Sequence, residues 1–443
     1  MTNVIPMKPA TLILFLLTCI SFQAQTVPDK ATNAPSVIAS PTSPAPTTAY
    51  TLPPEKLAQA KALYTLRVRL LIAGTVWNFL LLLGILYSGL AARFRDWAEA
   101  VSRWRFVQAV TAVPLLLLTM TALQLPLSIY QHRVSLQYGL SVQGWGSWIN
   151  DLLKGEAVVL AAMIPLLWLL LTLIRWSPRR WWFYAWLISL PLMVLVIFLV
   201  PLVLDPMFND FQPLQASQPQ LVEALEKVVQ RGGLDIPRKR MYEMDASKKV
   251  TTLNAYVTGL GASKRVVVWD TTIQKMSQPE TLFVFGHEMG HYVLNHIYKG
   301  LLLAAVLSFF CFYLFYRLAG WMLRRFQTRW QLRGLDDWAA LSMLFLLFVA
   351  LEFVGQPLAS AYSRHLEHQA DIYGLEVTHG INPDSQEAAA RAFQTLGEQS
   401  LSYPTPGAWM VFWYYDHPPI ADRVKFAHEY DPWSKGEHPE FVK

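Results

Sequence analysis

The chain is poor in cysteine and in charge. Its two cysteines, Cys19 and Cys311, lie in apolar segments far apart in sequence, so they make neither a disulfide framework nor a thiolate metal site. Only 15% of the residues are charged, against 53% hydrophobic, a balance that excludes two or three ordinary soluble domains and leaves an apolar surplus no water-facing core absorbs. No nucleic-acid motif is present. The net charge of +6 comes partly from arginines beside apolar runs, where attraction to anionic lipid accounts for it. No internal repeat appears, which argues against a transporter built from repeated bundles.

What is abundant is uncharged sequence of helix length. Residues 70–92, 106–132, 157–174, 181–204 and 300–316 each approach or exceed the roughly 17–25 residues that span a bilayer. A sixth run, 338–363, qualifies where Glu352 is tolerated. One such run alone could be a buried core helix; six together predict a polytopic α-helical membrane protein. Trp176, Trp181, Trp182, Tyr184, Trp321, Trp330 and Trp338 crowd the ends of the runs, at the depth amphipathic rings prefer. Ahead of the spans, residues 1–26 pair Lys8 with an apolar stretch and read as a signal peptide or N-terminal anchor. Residues 27–54, rich in Pro, Thr, Ser and Ala, read as a disordered tether. Four spans fill 55–204 and two more fill 300–363. The water-facing parts are then 205–299 and 364–443, and chemistry is expected where they meet.

Within the first part, apolar residues at helical spacing over 218–231 predict a helix ending at Gly232-Gly233. Residues 252–258 and 265–270 read as strands joined through a turn at 259–264, which predicts a small β-sheet. Ser277-Gln278-Pro279-Glu280 is a capping box with proline in the first turn, so a helix starts there and is predicted to run through His296. That helix contains His287-Glu288-Met289-Gly290-His291. Residues four apart share a helical face, so both imidazoles can hold one zinc ion while Glu288 serves as general base for the water it activates. The alternative, two ordinary histidines on a polar face, is weakened by the helical context. A tetrahedral site needs a third ligand. On a continuous helix His296 is rotated away from the ligand face, so it is read as a surface, capping or substrate-contact residue. The metzincin pattern is also absent. The other cluster is Ser363-Arg364-His365-Leu366-Glu367-His368-Gln369-Ala370-Asp371. Spacing alone leaves His365, Glu367, His368 and Asp371 all open as ligands, beside the plainer reading of a charged helix end.

Taken together with Tyr138-Gly139-Leu140-Ser141, Trp148, Asp245-Ala246-Ser247-Lys248, Asn254-Ala255-Tyr256 and Asp416-His417-Pro418, these motifs resemble the type I CAAX prenyl endopeptidases. Those are membrane gluzincins, zinc metalloproteases related to the bacterial heat-shock membrane proteases, and the likeness runs from about Tyr130 to near the C terminus. The resemblance implies one Zn2+ per chain on His287, His291 and Glu367, with Asp371 hydrogen-bonded behind a ligand imidazole. It implies a gluzincin-like zinc protease domain assembled from 205–299 and 364–443. Asn254, Ala255 and Tyr256 would receive the substrate backbone on a strand edge. His417 and Arg423 would stabilise the oxyanion. Family members enclose a chamber between their helices, which Glu352 would line here. The expected substrate is a peptide or protein, prenylated or membrane-bound.

Arginines gather in alternate loops, at Arg93, Arg95, Arg103 and Arg105, at Arg175, Arg179 and Arg180, and at Arg324, Arg325, Arg329 and Arg333. The positive-inside rule makes those loops cytoplasmic and places the site on the periplasmic side of a bacterial inner membrane. Two features oppose this: Lys56, Lys61, Arg67 and Arg69 precede the first span on the outer side, and the eukaryotic members have seven spans and a cytosolic site. A membrane quality-control protease without prenyl specificity, or a chaperone that binds peptides without cutting them, is the competing function; a chaperone has no use for Glu288.

Overall fold

The computed structural model describes residues 49–259 and 264–442. The signal or anchor expected at 1–26, most of the tether and the middle of the 259–264 turn lie outside the described residues.

The membrane half begins with α1 (Pro54–Tyr87), α2 (Leu90–Val101), α3 (Arg105–Gln137), α4 (Trp145–Trp176) and α5 (Trp181–Leu199). All but α2 are long and apolar enough to cross a bilayer, α5 with a π-type turn over Val200–Leu204 that carries the helical path to Phe208. The helices outrun the apolar runs that signalled them. A hydrogen-bonded backbone continues into water at little cost, and its polar turns then pack on the soluble part. The expected first span is corrected at its end: Gly89 adopts φ 72° and turns the chain, so Ala91 and Ala92 belong to α2. α2 buries Ala91, Phe94, Arg95 and Ala98 at helical spacing and packs against α3.

Between α5 and the next span lie β1 (Phe211–Pro213), α6 (Pro219–Arg231), β2 (Met241–Met244), β3 (Ala255–Thr258), β4 (Arg265–Trp269) and α7 (Gln278–Val293). The sheet order is β1-β2-β4-β3, with β2 and β4 parallel and the other pairs antiparallel, so β3 is an edge. The expected strand at 252–258 is shorter than read. Thr271 Oγ1 donates to Thr252 O at 2.8 Å, and Asn254 N–H donates to Thr272 Oγ1 at 2.8 Å, so side chains take the bonds a ladder would have used. The capping box on Ser277 and Glu280 is formed. The helix it starts does not reach His296: Asn295 takes the left-handed φ of 58°, and a new helix, α8 (His296–Phe326), sets off from there.

α8 and α9 (Ala340–Thr378) supply the last two spans. At the loop between them Arg95 pairs with Asp337 at 3.0 Å, Arg105 bonds the Asp336 carbonyl at 2.6 Å and Arg333 pairs with Glu99 at 2.8 Å. The first and third arginine clusters therefore meet at one end of the bundle. α9 then runs without a break from that end to Glu367, about 40 Å further on at 1.5 Å per residue. α10 (Ser385–Gln399), α11 (Ala408–Tyr414) and α12 (Ile420–Glu429) follow. One hydrophobic core joins Leu225 and Val228 of α6, Phe283 and Phe285 of α7, and Phe393 of α10.

Candidate active site

α7 and α9 cross through small residues. A β-carbon on Gly286 would lie 2.8 Å from Val377, and one on Gly290 would lie 3.0 Å from Tyr373. The close approach carries Glu367 and Asp371 onto the two histidines of α7. His287 Nε2 is 3.2 Å from Glu367 Oε2, His291 Nε2 is 3.6 Å from Glu367 Oε1, and the two Nε2 atoms are 3.3 Å apart. One ligand atom from each residue lies within 4.8 Å of the others.

The chemistry of this set fits a metal ion. Asp371 Oδ1 lies 2.8 Å from His287 Nδ1 and can only accept, so Nδ1 carries a proton, and Nε2 is free to turn a lone pair toward the other ligand atoms. His287 is 1% exposed and Glu367 2%, so water does not satisfy them. Without a cation the site recruits a proton instead. Burial opposes charge on His287, but Asp371 and Glu367 outweigh it and lift its pKa to about 9.

Glu288 follows His287 on α7. Burial pushes its carboxyl above the usual range, an effect that His287 and His291 partly offset. A carboxylate so tuned accepts a proton from water more readily than an exposed one does. His417 enters from the loop before α12, with Nε2 3.1 Å from Glu367 Oε2 and Nδ1 2.8 Å from Asp416 Oδ1. Burial lowers its pKa, yet the facing carboxylates of Glu367 and Asp416 raise it overall. Arg364 pins this loop through the carbonyls of Val411 at 2.8 Å and Tyr415 at 2.5 Å.

Arg423, expected to stabilise the oxyanion, is buried beside Asp371 and His287. Its Nε and Nη2 fork onto Asp371 at 2.9 and 2.5 Å, and the guanidinium lies over the Phe393 ring at 4.2 Å. Nη2 lies 3.5 Å from His287 Nδ1, the side away from Glu367. Arg423 is therefore behind the histidine, where a charge steadies Asp371. Ala255 and Tyr256 lie on the edge strand β3, which packs against α7. Asn254 precedes the strand and caps it, its Oδ1 accepting from Ala255 N–H at 3.0 Å. Tyr256 reaches Asp205 with its hydroxyl at 3.3 Å.

Of the four open candidates in the second cluster, His365 and His368 are exposed and Glu367 and Asp371 buried. Glu352 lies on the apolar stretch of α9. His296, read as a surface, capping or substrate-contact residue, is 4% exposed and packed against His291, because the break at Asn295 redirects it. Arg364, Asp416 and Gln369 stood within the motifs that carry the resemblance, but sequence reasoning gave none of them a role.

Residues 215–431 match the family described as peptidase family M48, and residues 36–210 match the CAAX prenyl protease N-terminal domain with five membrane helices. The chain is 35% identical to the Bacillus subtilis protein named uncharacterized metalloprotease YhfN, across 84% of this chain and 86% of that one. It is 28% identical to CAAX prenyl protease 1 of Saccharomyces cerevisiae, over 69% and 68% of the two chains. The crystal structure of S. mikatae Ste24p superposes with a TM-score of 0.71 at 25% identity, covering 84% of this chain and 90% of that one. The chain therefore belongs to peptidase family M48, as a multi-pass membrane metalloendopeptidase of the CAAX prenyl protease type.

Proposed function

We propose that the resident metal is zinc, held by His287, His291 and Glu367, and that the enzyme cuts peptides at the membrane surface with Glu288 as general base. The observation that carries this is the convergence of two imidazoles and one carboxylate from crossing helices, within 4.8 Å of one another. Zinc supplies Lewis-acid activation of water and of the scissile carbonyl. Glu288 takes the water's proton and passes it to the departing amine. His417 donates to the oxyanion as it develops. Asp371 fixes the tautomer of His287, and Arg423 neutralises Asp371 from behind, which makes Arg423 a positioning residue. The outer edge of β3, at Ala255 and Tyr256 with Asn254 as its cap, receives the substrate backbone as an added strand. The soluble pieces 205–299 and 364–443 act as one protease domain, and 55–204 and 300–363 as its membrane domain.

The substrate is a membrane-proximal peptide, and the relatives named CAAX prenyl protease favour a prenylated C terminus. The arginine-rich end of the bundle lies opposite the histidines. With that end cytoplasmic the site faces outward, which favours a quality-control role in a bacterial inner membrane. Purified wild type and Glu288→Gln, assayed for zinc and offered a prenylated CAAX peptide and an unfolded membrane protein, test both readings. Zinc at one per chain and cleavage by wild type alone support the mechanism; equal cleavage by both forms sinks it. The preferred substrate separates the two roles. A cysteine introduced between Asp205 and Gln220 labels with an impermeant reagent in intact cells if the site faces outward.

A further inference from the structure

His291 has a partner on its far side to which the mechanism above gives no role. Its Nδ1 lies 3.1 Å from His296 Nδ1, and His296 Nε2 lies 3.1 Å from Gln369 Oε1. The protons along this chain follow from one end. The Gln369 carbonyl oxygen can only accept, so His296 Nε2 carries a proton and donates it. A neutral imidazole with Nε2–H has a lone pair on Nδ1, so His296 Nδ1 accepts from His291 Nδ1–H. His291 Nε2 is then the bare nitrogen, and it is the atom 3.3 Å from His287 Nε2 and 3.6 Å from Glu367 Oε1.

We propose that Gln369 and His296 form a two-step hydrogen-bond relay that fixes the tautomer and ring orientation of His291 as a metal ligand, making both of them positioning residues. The inference rests on the assignment of His291 to the metal. It gives the two histidines unequal supports. His287 is held by the buried anion Asp371, whereas His291 is held by a neutral amide acting through a neutral ring. His291 is also the more open of the pair, its side chain 21% exposed against 1% for His287. A ligand without a charged partner and with access to water needs its direction set by other means. His296 and Gln369 do this from two different elements, one at the start of α8 and one on α9 two residues after Glu367.

The backbone is built for the contact. Five residues along an unbroken helix, a side chain is rotated by about 140° from where it began, at 100° per residue. Asn295 breaks the helix with φ 58°, a conformation asparagine tolerates better than most residues, and His296 returns to the His291 ring with centroids 5.1 Å apart. His296 is buried there.

The test uses the full-length enzyme in nanodiscs and reads zinc affinity by chelator competition and ligand geometry from the absorption of the cobalt-substituted form. Gln369→Leu removes the acceptor, Gln369→Glu keeps one, and His296→Phe removes the relay while filling its space. The relay predicts zinc binding weakened about 10- to 100-fold in Gln369→Leu and His296→Phe, with shifted cobalt bands. Gln369→Glu should stay within a few fold of wild type. Wild-type affinity and spectra in Gln369→Leu overturn the relay, as does equal weakening in Gln369→Glu and Gln369→Leu. Gln369 is only half-buried, so its pair of variants decides the matter even where His296→Phe misfolds. His291→Ala is the separate control: undiminished zinc binding in that variant means the metal assignment has failed, whatever Gln369 does.

Discussion

Gly374 on α9 lies against the backbone of His287 on α7, so that a β-carbon added to it would sit 3.0 Å from His287 N and 3.2 Å from its Cα. A side chain can swing away from such an intruder, but a helix backbone cannot. Gly374→Ala should therefore prise the two helices apart, destabilising the soluble half by about 1–3 kcal/mol, as overpacked cores do. Because α9 also carries Glu367, zinc affinity should fall together with the thermal midpoint. Gly300→Ala, with nothing within 4 Å of the new methyl, is the control and should lower neither. A normal midpoint and full zinc occupancy in Gly374→Ala would refute the account.

Arg423 and Asp371 make the second case, because two roles for Arg423 predict different losses. An arginine at the oxyanion would, on removal, lower kcat and leave the metal bound. An arginine forked onto a buried aspartate leaves an uncompensated charge behind, at about 3–5 kcal/mol. Arg423→Gln should therefore lower stability and zinc affinity together, and Arg423→Lys should restore part of each without the fork. Asp371→Asn with Arg423→Gln should cost less than the sum of the single changes. An Arg423→Gln enzyme with wild-type zinc affinity and only kcat reduced would return Arg423 to the oxyanion.

These residues show what the sequence could and could not display. His287, Glu288 and His291 were legible because their geometry is local: four residues, one helix, and a capping box that fixes where the helix begins. Glu367 was one of four open candidates until family resemblance selected it, since nothing local says which face of α9 meets α7. That choice is made by Gly286, Gly290 and Gly374, and an isolated glycine in a helix does not announce its partner. His296 was misplaced for a different reason. Reading α7 as continuous carried it off the ligand face, and a single left-handed residue, Asn295, brought it back. Arg423 was assigned by the resemblance and by its chemistry, but its position depends on Asp371, fifty-two residues earlier in the chain.

The raised pKa of His287 gives a pH dependence with a definite sign. In the metal-free protein its folded pKa of about 9 stands above the ordinary value near 6.5, as the stabilising carboxylates require. The proton therefore stabilises the metal-free fold fully below about pH 6.5, and that contribution is lost as pH rises through about 9. Zinc competes for the same ring, so its apparent affinity should move the other way, rising about tenfold per unit up to pH 9 for this one proton. Chelator competition across pH 6.5–9.5, beside thermal melts of the metal-free protein, measures both slopes. Zinc affinity independent of pH over that range would contradict the assignment of His287 as a ligand.

Beyond Glu367 and Asp371, α9 ends in a further buried carboxylate whose partners are all near the C-terminal tail. Glu376, 1% exposed, accepts backbone N–H groups from Glu440 at 2.5 Å, Phe441 at 2.7 Å and Val442 at 2.8 Å, together with the Tyr430 hydroxyl. A buried carboxylate is tolerable only while such donors surround it. Glu376→Gln turns one acceptor oxygen into a donor facing those amides, and removal of residues from Glu440 onward strips the amides from an intact carboxylate. Each change should cost about 2–3 kcal/mol through the same lost contacts. Combining them should add little, because with the tail gone the glutamine has fewer donors to oppose. Since α9 carries Glu367 and Asp371 on the preceding turns, both variants should also shorten zinc retention at elevated temperature. Denaturant titration of the single and double variants in nanodiscs is the measurement, and fully additive losses would show that the tail and Glu376 stabilise α9 independently.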